Sequence, residues 1–469
     1  MVPFRYTQVI LPVLKKHFSL CLLLSLFLPS LAWPFSPYSN RELDQLEKEF
    51  VEQINQSPLI LRDPLAGQYI NHLAKRLAQH GQLAQPYFFI VNSDEINAFA
   101  GPGGHIGVNT QLILASDNES ELAAVMAHEM AHVRLHHLYR MLEHQKQMQI
   151  PKLASILASM ALGALNPMMG TGALMASLGG FAQDDINFVR SNEKEADRIG
   201  IDVLNKAGLD PRGMANFFRK MQQNTRYYYT ANVPAILRTH PIDEDRIAEA
   251  ENRSAQMAPK TVQNSLDYRL FKELIRTTVV TNSKALIENY QRCLQTHPED
   301  VSCQYGYALE LISLNRYEQA ETQLNALLLN DHDNLYYAIA MSRAEIGSGH
   351  SLNAVNRLHL LLENYPDNYA VVFAYADSLS AANKSEQAAS FLLKASRQFP
   401  KDIAVCEALA RAEAANNRKN YAYFTAAQCS LLEGQRREAK RLLKLAQSLT
   451  TKDPLLKARI EAKLDEISE

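Results

Sequence analysis

The chain has 469 residues, with 48 basic and 50 acidic side chains and a formal net charge of −2. That balance argues against nucleic acid as a partner, and 47% hydrophobic with 21% charged residues are the proportions of a soluble globular protein rather than a disordered chain. The length predicts two or more domains, each large enough for its own core.

Residues 1–32 read as a secretory signal. Lys15, Lys16 and His17 precede an apolar run over 18–28, and Pro29-Ser30-Leu31-Ala32 supplies the small residues of a cleavage site near Ala32. The run is short for a membrane span, the alternative being an uncleaved anchor. Cys21 lies in a poor lipoprotein context. Cleavage would remove Arg5, Lys15 and Lys16 and no acid, moving the net charge from −2 to −5. Four cysteines would remain, Cys293, Cys303, Cys406 and Cys429, which allow two disulfides in any of three connectivities. Sequential pairing, Cys293–Cys303 and Cys406–Cys429, is expected because each pair would join neighbouring helices; free buried thiols are the alternative.

Helical spacing of apolar residues covers 41–56 and 69–80, separated by Pro58 and Pro64. Residues 87–92 carry a strand signal. Two short strands then flank Gly101-Pro102-Gly103-Gly104, either a simple hairpin or a place where backbone is presented to an extended peptide. Asn118 and Glu121 have the spacing of a capping box that opens an alanine-lined helix. That helix carries His128-Glu129-Met130-Ala131-His132, an H-E-x-x-H motif. Residues four apart share a helix face, so His128 and His132 can hold one zinc ion, with Glu129 beside its open position as general base. The motif arises by chance in roughly a few per cent of chains this long, so its surroundings must support it. They do: an apolar helix cannot bury these three side chains without a partner, except at a cost of several kcal/mol.

Residues 151–183, rich in Leu, Ala, Met and Gly and split by Asn166-Pro167, read as two apolar helices. They would cover the active-site cleft, touch a membrane surface peripherally, or belong to an ordinary core. Another helix, over 185–205, ends at Gly208 and puts Glu193 and Asp197 on one face. Glu193 as third ligand would complete a His₂Glu zinc site, with Asp197 orienting a histidine through its free ring nitrogen.

His128-Glu129-x-x-His132, Glu193-x-x-x-Asp197 and the upstream Asn97-Ala98-Phe99-Ala100-x-Pro102-Gly103-Gly104 together resemble the M48 family of zinc metallopeptidases over about residues 40–255. The resemblance implies a gluzincin-like, mainly helical domain with a small β-sheet, one Zn²⁺ per chain, His128, His132 and Glu193 as ligands, Glu129 as general base, and Asp197 behind the ligands. It also implies that His240, before Pro241, sits over the metal, where it can fill the fourth site and hold the enzyme latent; by the sequence alone it is equally an exposed loop residue before a proline. Arg246 is then a candidate to stabilise the oxyanion. Tyr227, Tyr228 and Tyr229 are rival donors, or an aromatic packing cluster.

A polar linker is expected over 250–264. Beyond it Pro298, Pro366 and Pro400, with Ala308, Ala320, Ala354, Ala376 and Ala388, recur in a 34-residue frame that resembles tetratricopeptide repeats. The frame slips after Pro400, where Ala439 and Ala446 are offset by half a repeat. The expected organisation is an α+β metallopeptidase domain over 33–255 and an all-α repeat solenoid over 265–469. Together the halves resemble bacterial periplasmic M48 peptidases with C-terminal repeats. That resemblance implies a periplasmic metalloendopeptidase that degrades misassembled outer-membrane barrel proteins and assists their assembly, its repeats engaging the assembly machinery or the substrate. A non-catalytic repeat scaffold is the competing reading.

Overall fold

The computed structural model describes residues 40–81, 86–141, 183–227, 234–258, 260 and 262–468, without the side chains of 40, 183–186, 224–227 and 468. The stretch expected as a signal sequence, all of the apolar 151–183 segment but Gln183, and the side chains of Tyr227, Tyr228 and Tyr229 therefore lie outside the described residues. Among the described residues, no helix is long and apolar enough to cross a membrane.

The first elements are helix α1 (Asn40–Gln56), strand β1 (Ile60–Leu61) and helix α2 (Pro64–Gly81). Helix α2 starts five residues earlier than expected. Pro64 opens it instead of separating two helices, because a first-turn proline lacks only an N–H that would have no intrahelical partner. Asp63 caps the turn, accepting from the backbone N–H groups of Leu65 and Ala66 at 3.0 and 3.1 Å.

Strands β2 (Tyr87–Val91), β3 (Ala98–Ala100) and β4 (His105–Asn109) complete a mixed sheet in the order β1-β2-β4-β3. Strands β2 and β4 run parallel, Phe89 opposite Gly107, while β3 pairs antiparallel to β4, Phe99 opposite Gly107. The β3–β4 turn needs left-handed backbone at Gly103 and Gly104, with φ of 69° and 79°. A short helix, α3 (Thr110–Ala115), intervenes before the H-E-x-x-H helix, α4 (Glu119–Arg134). The Asn118 side chain accepts from Glu121 N–H at 3.0 Å, and Glu121 Oε2 accepts in return from Asp117 N–H at 2.9 Å. The capping box thus forms, with its return bond one residue earlier than expected.

Helix α5 (Gln183–Lys206) crosses α4 where both present small residues. A Cβ added at Gly200 would stand 3.4 Å from His128 N and 3.6 Å from Ala127 C. Glycine there lets the two backbones meet beside the first histidine, and Glu193 and Asp197 project from the same face of α5, seven and three residues earlier. Gly208, at φ 77°, ends the helix as expected. Helices α6 (Gly213–Tyr227), α7 (Ala235–Thr239) and α8 (Glu244–Ala255) follow. Residues 250–255 are therefore helix rather than linker. Ala250 and Ser254 are buried, so a polar composition concealed a packed face.

Twelve helices make up the rest: α9 (Leu266–Val279), α10 (Ser283–Thr296), α11 (Val301–Ser313), α12 (Tyr317–Asn330), α13 (Leu335–Gly347), α14 (Ser351–Asn364), α15 (Tyr369–Ala381), α16 (Ser385–Gln398), α17 (Ile403–Ala415), α18 (Lys419–Leu432), α19 (Arg436–Leu449) and α20 (Pro454–Ser468). Helices α11, α13, α15 and α17 begin 34 residues apart, as do α12, α14, α16 and α18. The frame thus runs on past Pro400. It breaks at α19, where buried Ala439 takes the fourth helical position held by Ala320, Ala354, Ala388 and Ala422 in the second helix of each pair. Disulfides Cys293–Cys303 and Cys406–Cys429 join α10 to α11 and α17 to α18, with Cα separations of 6.4 and 5.7 Å.

One continuous apolar core runs from α2 through α4, α6 and α9 to α15. The repeats begin inside this shared core, not after a flexible joint. Tyr69 Oη and Ser265 Oγ both donate to buried Glu119 on α4, at 2.7 and 3.1 Å, and Tyr268 Oη donates to Ser116 O at 3.0 Å. The start of α9 is therefore bonded to the start of the H-E-x-x-H helix.

Candidate metal centre

Helices α4 and α5 and the α7–α8 connection bring four donors together. His128 Nε2 and His132 Nε2 face each other at 2.9 Å, one helical turn apart on α4. Glu193 on α5 lies 3.4 Å from each, Oε2 toward His128 and Oε1 toward His132. His240, which caps the end of α7, brings Nδ1 to 3.3 Å from His128 Nε2 and 3.1 Å from Glu193 Oε2. One atom from each of these four residues lies within 4.8 Å of every other.

The residues fit a zinc ion. Imidazole nitrogens and a carboxylate oxygen are its usual donors, and buried acceptor atoms that converge on one point need a cation between them. Glu129 is 1% exposed, and its Oε1 has no hydrogen-bond partner. The nearest ionic group to that oxygen is His240 Nε2 at 3.4 Å. His240 therefore spans the site, one ring nitrogen toward the donor cluster and the other toward Glu129.

The groups behind the donors are ionised. Asp197 Oδ1 is 2.9 Å from His128 Nδ1, an ionic contact that favours a proton on Nδ1 and leaves Nε2 as the atom toward the cluster. Arg246 grips Asp197 with two bonds of 2.8 Å, from Nε to Oδ2 and from Nη2 to Oδ1. Its Nη1 reaches Glu193 Oε2 at 3.0 Å and donates to Pro241 O at 2.7 Å. Arg246 is 2% exposed and its guanidinium stacks over Phe218. It therefore bonds Asp197 and Glu193 at once, from the side of the donors that faces α8.

Burial pushes the Asp197 carboxyl up, but the hydrogen bonds from His128 and Arg246 outweigh it and hold Asp197 below its ordinary range. Glu193 is likewise held well below the carboxylate range, against burial, by the three histidines. Burial would lower His128, yet Asp197 and Glu193 push it up to about 10 in the metal-free protein. His132 is lowered well below its ordinary value, chiefly by burial. His240 is raised: burial lowers it, but Glu193 and Glu129 outweigh burial.

His137 was not expected at the site. It is 4% exposed, and its Nδ1 lies 2.8 Å from His132 Nδ1. No spacing rule marks a histidine five residues beyond the second ligand, because α4 ends between them and the left-handed backbone of His136 (φ 52°) turns the chain back.

Peptidase family M48 matches residues 64–254, and a tetratricopeptide-repeat family matches 218–400. The chain is 35% identical over 434 residues to the beta-barrel assembly-enhancing protease of Escherichia coli (strain K12), an alignment covering 90% of this chain and 87% of that protein. It is 32% identical over 422 residues to the beta-barrel assembly-enhancing protease of Yersinia pestis, covering 89% and 86%. Over 230 residues it is 28% identical to the mitochondrial metalloendopeptidase OMA1 of Danio rerio, covering 46% of this chain and 47% of that one.

Proposed function

Because the chain belongs to peptidase family M48, and so is a zinc metallopeptidase, we propose that His128, His132 and Glu193 hold the metal, that Glu129 is the general base, and that His240 takes the fourth place only in a resting state, leaving it when water enters. The observation that carries this reading is the convergence of those donors beside a buried Glu129 oxygen without a hydrogen-bond partner. When bound, zinc supplies Lewis acidity, which polarises the scissile carbonyl and lowers the pKa of water. Glu129 takes a proton from the attacking water and returns it to the leaving amine. Asp197 keeps the His128 proton on Nδ1. Arg246 positions Asp197 and Glu193 and keeps both ionised. An extended substrate strand would add to the outer edge of β3, the last strand of the sheet in its order.

The substrates we propose are unfolded or misassembled outer-membrane barrel proteins, in the periplasm. Support comes from the exported-type N-terminus, from two disulfides and from the relatives' printed role. The repeats would engage the substrate or the assembly machinery. A cavity of about 870 Å³ between the sheet and the repeats, with Tyr87, Tyr365, Tyr369 and Phe399 in its wall, suits an apolar stretch of unfolded chain. The peptidase and repeat units take the limits 33–255 and 265–469, fused through a common core.

In a second reading the protein is latent and serves as a scaffold until His240 leaves. His240 favours it by spanning from Glu193 to Glu129. The deciding experiment uses the full chain, since cutting near residue 264 would expose Tyr268 and Phe271 from the shared core. Glu129→Gln should lose cleavage of an unfolded barrel protein while keeping one zinc per chain. Cleavage at the wild-type rate would overturn the assignment of the base.

A further inference from the structure

Three acids lie within a turn and a half of α5, and the reading above uses only two of them. Glu193 reaches the donor cluster and Asp197 stands behind His128. Glu195, between them in sequence, reaches the second histidine by a longer route. Its Oε2 lies 3.5 Å from His137 Nε2, and His137 Nδ1 lies 2.8 Å from His132 Nδ1. Arg140 Nη1, 3.4 Å from the same Glu195 oxygen, holds the carboxylate in place.

We propose that His137 is the positioning residue of His132, acting through a Glu195–His137–His132 relay that fixes the tautomer in which His132 Nε2 is free to bind the metal. This rests on the ligand assignment above and extends it.

The protons can be placed one by one. A neutral imidazole carries one ring proton. With His132 Nε2 given to the cluster, its proton is on Nδ1 and needs an acceptor. Among the described residues the atom opposite is His137 Nδ1, which accepts only if His137 keeps its own proton on Nε2. That nitrogen is buried without a hydrogen-bond partner and faces the anionic Glu195. At 3.5 Å the last contact is electrostatic rather than a full hydrogen bond, so Glu195 biases the tautomer and His137 fixes it. The two histidine ligands are thus oriented differently, His128 by a carboxylate directly and His132 by a second imidazole with a carboxylate behind it.

The backbone is built for this contact. Helix α4 stops at Leu135, and His136 takes a left-handed conformation that side chains other than glycine seldom adopt. The chain then re-enters helix at His137, whose ring meets the edge of His132 at 4.8 Å between centroids. A straight continuation of α4 would put residue 137 on another face, since five residues turn a helix by about 500°.

The test measures zinc affinity by competition with a chromophoric chelator, in the full chain. His137→Phe should weaken zinc binding about 10- to 100-fold, the usual effect of losing a partner behind a ligand. His137→Asn, whose Oδ1 can accept at the Nδ1 position, should restore most of that loss. Glu195→Gln, at a side chain 44% exposed and so no threat to folding, should weaken binding by less than His137→Phe does, because its contact with His137 is longer than a full hydrogen bond. In the zinc-loaded wild type and in His137→Asn, nitrogen-15 NMR should show a slowly exchanging proton on His132 Nδ1, absent from His137→Phe. A wild type that binds zinc while His137→Phe or Glu195→Gln binds it equally well overturns the relay alone. Equal losses in the Phe and Asn variants also overturn it, leaving only packing. A wild type that binds no zinc overturns the ligand assignment with it.

Discussion

Replacing Arg246 by methionine would test whether the site's charges are held from behind. The change keeps an apolar stem over Phe218 and removes four contacts: two to Asp197 at 2.8 Å, one to Glu193 at 3.0 Å and one to Pro241 O at 2.7 Å. Asp197 and Glu193 are each 4% exposed, so neither can recover solvation. Stranding a buried charge in this way costs about 3–5 kcal/mol, a large share of the roughly 5–15 kcal/mol that holds a native protein together. The assay is urea denaturation of the metal-free full chain. Adding Asp197→Asn removes the stranded carboxylate, so the double variant should lose less than the sum of the single losses, by about 1–3 kcal/mol. The acid limb should move too. Because Asp197 titrates below its unfolded value, its contribution is present above about pH 4 and is lost as pH falls through the folded pKa. Arg246→Met raises that pKa and should shift acid unfolding to higher pH. A loss below about 1 kcal/mol, or strictly additive variants, would refute the reasoning.

Three further outcomes follow from the same structure. His240→Ala should raise turnover of an unfolded barrel protein, because it clears the side chain lying between Glu193 and Glu129; unchanged or lower turnover would count against latency. In the metal-free protein His128 is pushed up to about 10. Its contribution to stability is therefore complete below about pH 6.5 and fades as pH rises to about 10, and zinc must displace its proton. Calorimetry at pH 8 in two buffers of different ionisation enthalpy should show at least about one proton released per zinc, whereas none released would contradict the protonated His128. Replacing Cys406 and Cys429 by serine opens a loop with a sequence separation of 23 and should cost about 3 kcal/mol, read by denaturation, with zinc content unchanged.

The parts of the site that follow helical periodicity were legible from residue spacing. His128 and His132 are four apart on one helix and Glu193 and Asp197 four apart on another, so each pair shares a face before any packing is known. The meeting of the two helices was not legible as geometry. It depends on Gly200 opposite Ala127 and His128, a contact between segments about seventy residues apart. The sequence marks Arg246 only through the family resemblance, as an oxyanion candidate. That it is buried and bonded to Asp197 depends on where α8 packs, and the end of α8 is polar enough to resemble linker. His137 was hidden by a left-handed turn at a non-glycine residue. The repeat frame was carried past Pro400 by helix positions such as Ala422 rather than by prolines. The core shared by the peptidase and repeat halves has no local signature, because it is made of contacts between distant apolar positions such as Tyr69 and Phe271, whose rings stack at 4.3 Å.

Zinc-edge X-ray absorption on the wild type and on His240→Ala addresses the convergence of residues 128, 132, 193 and 240 most directly. The account predicts one zinc per chain with three imidazoles and one carboxylate in the wild type, and the loss of one imidazole in the variant. A sulfur shell, or an identical imidazole count in the two proteins, would contradict it.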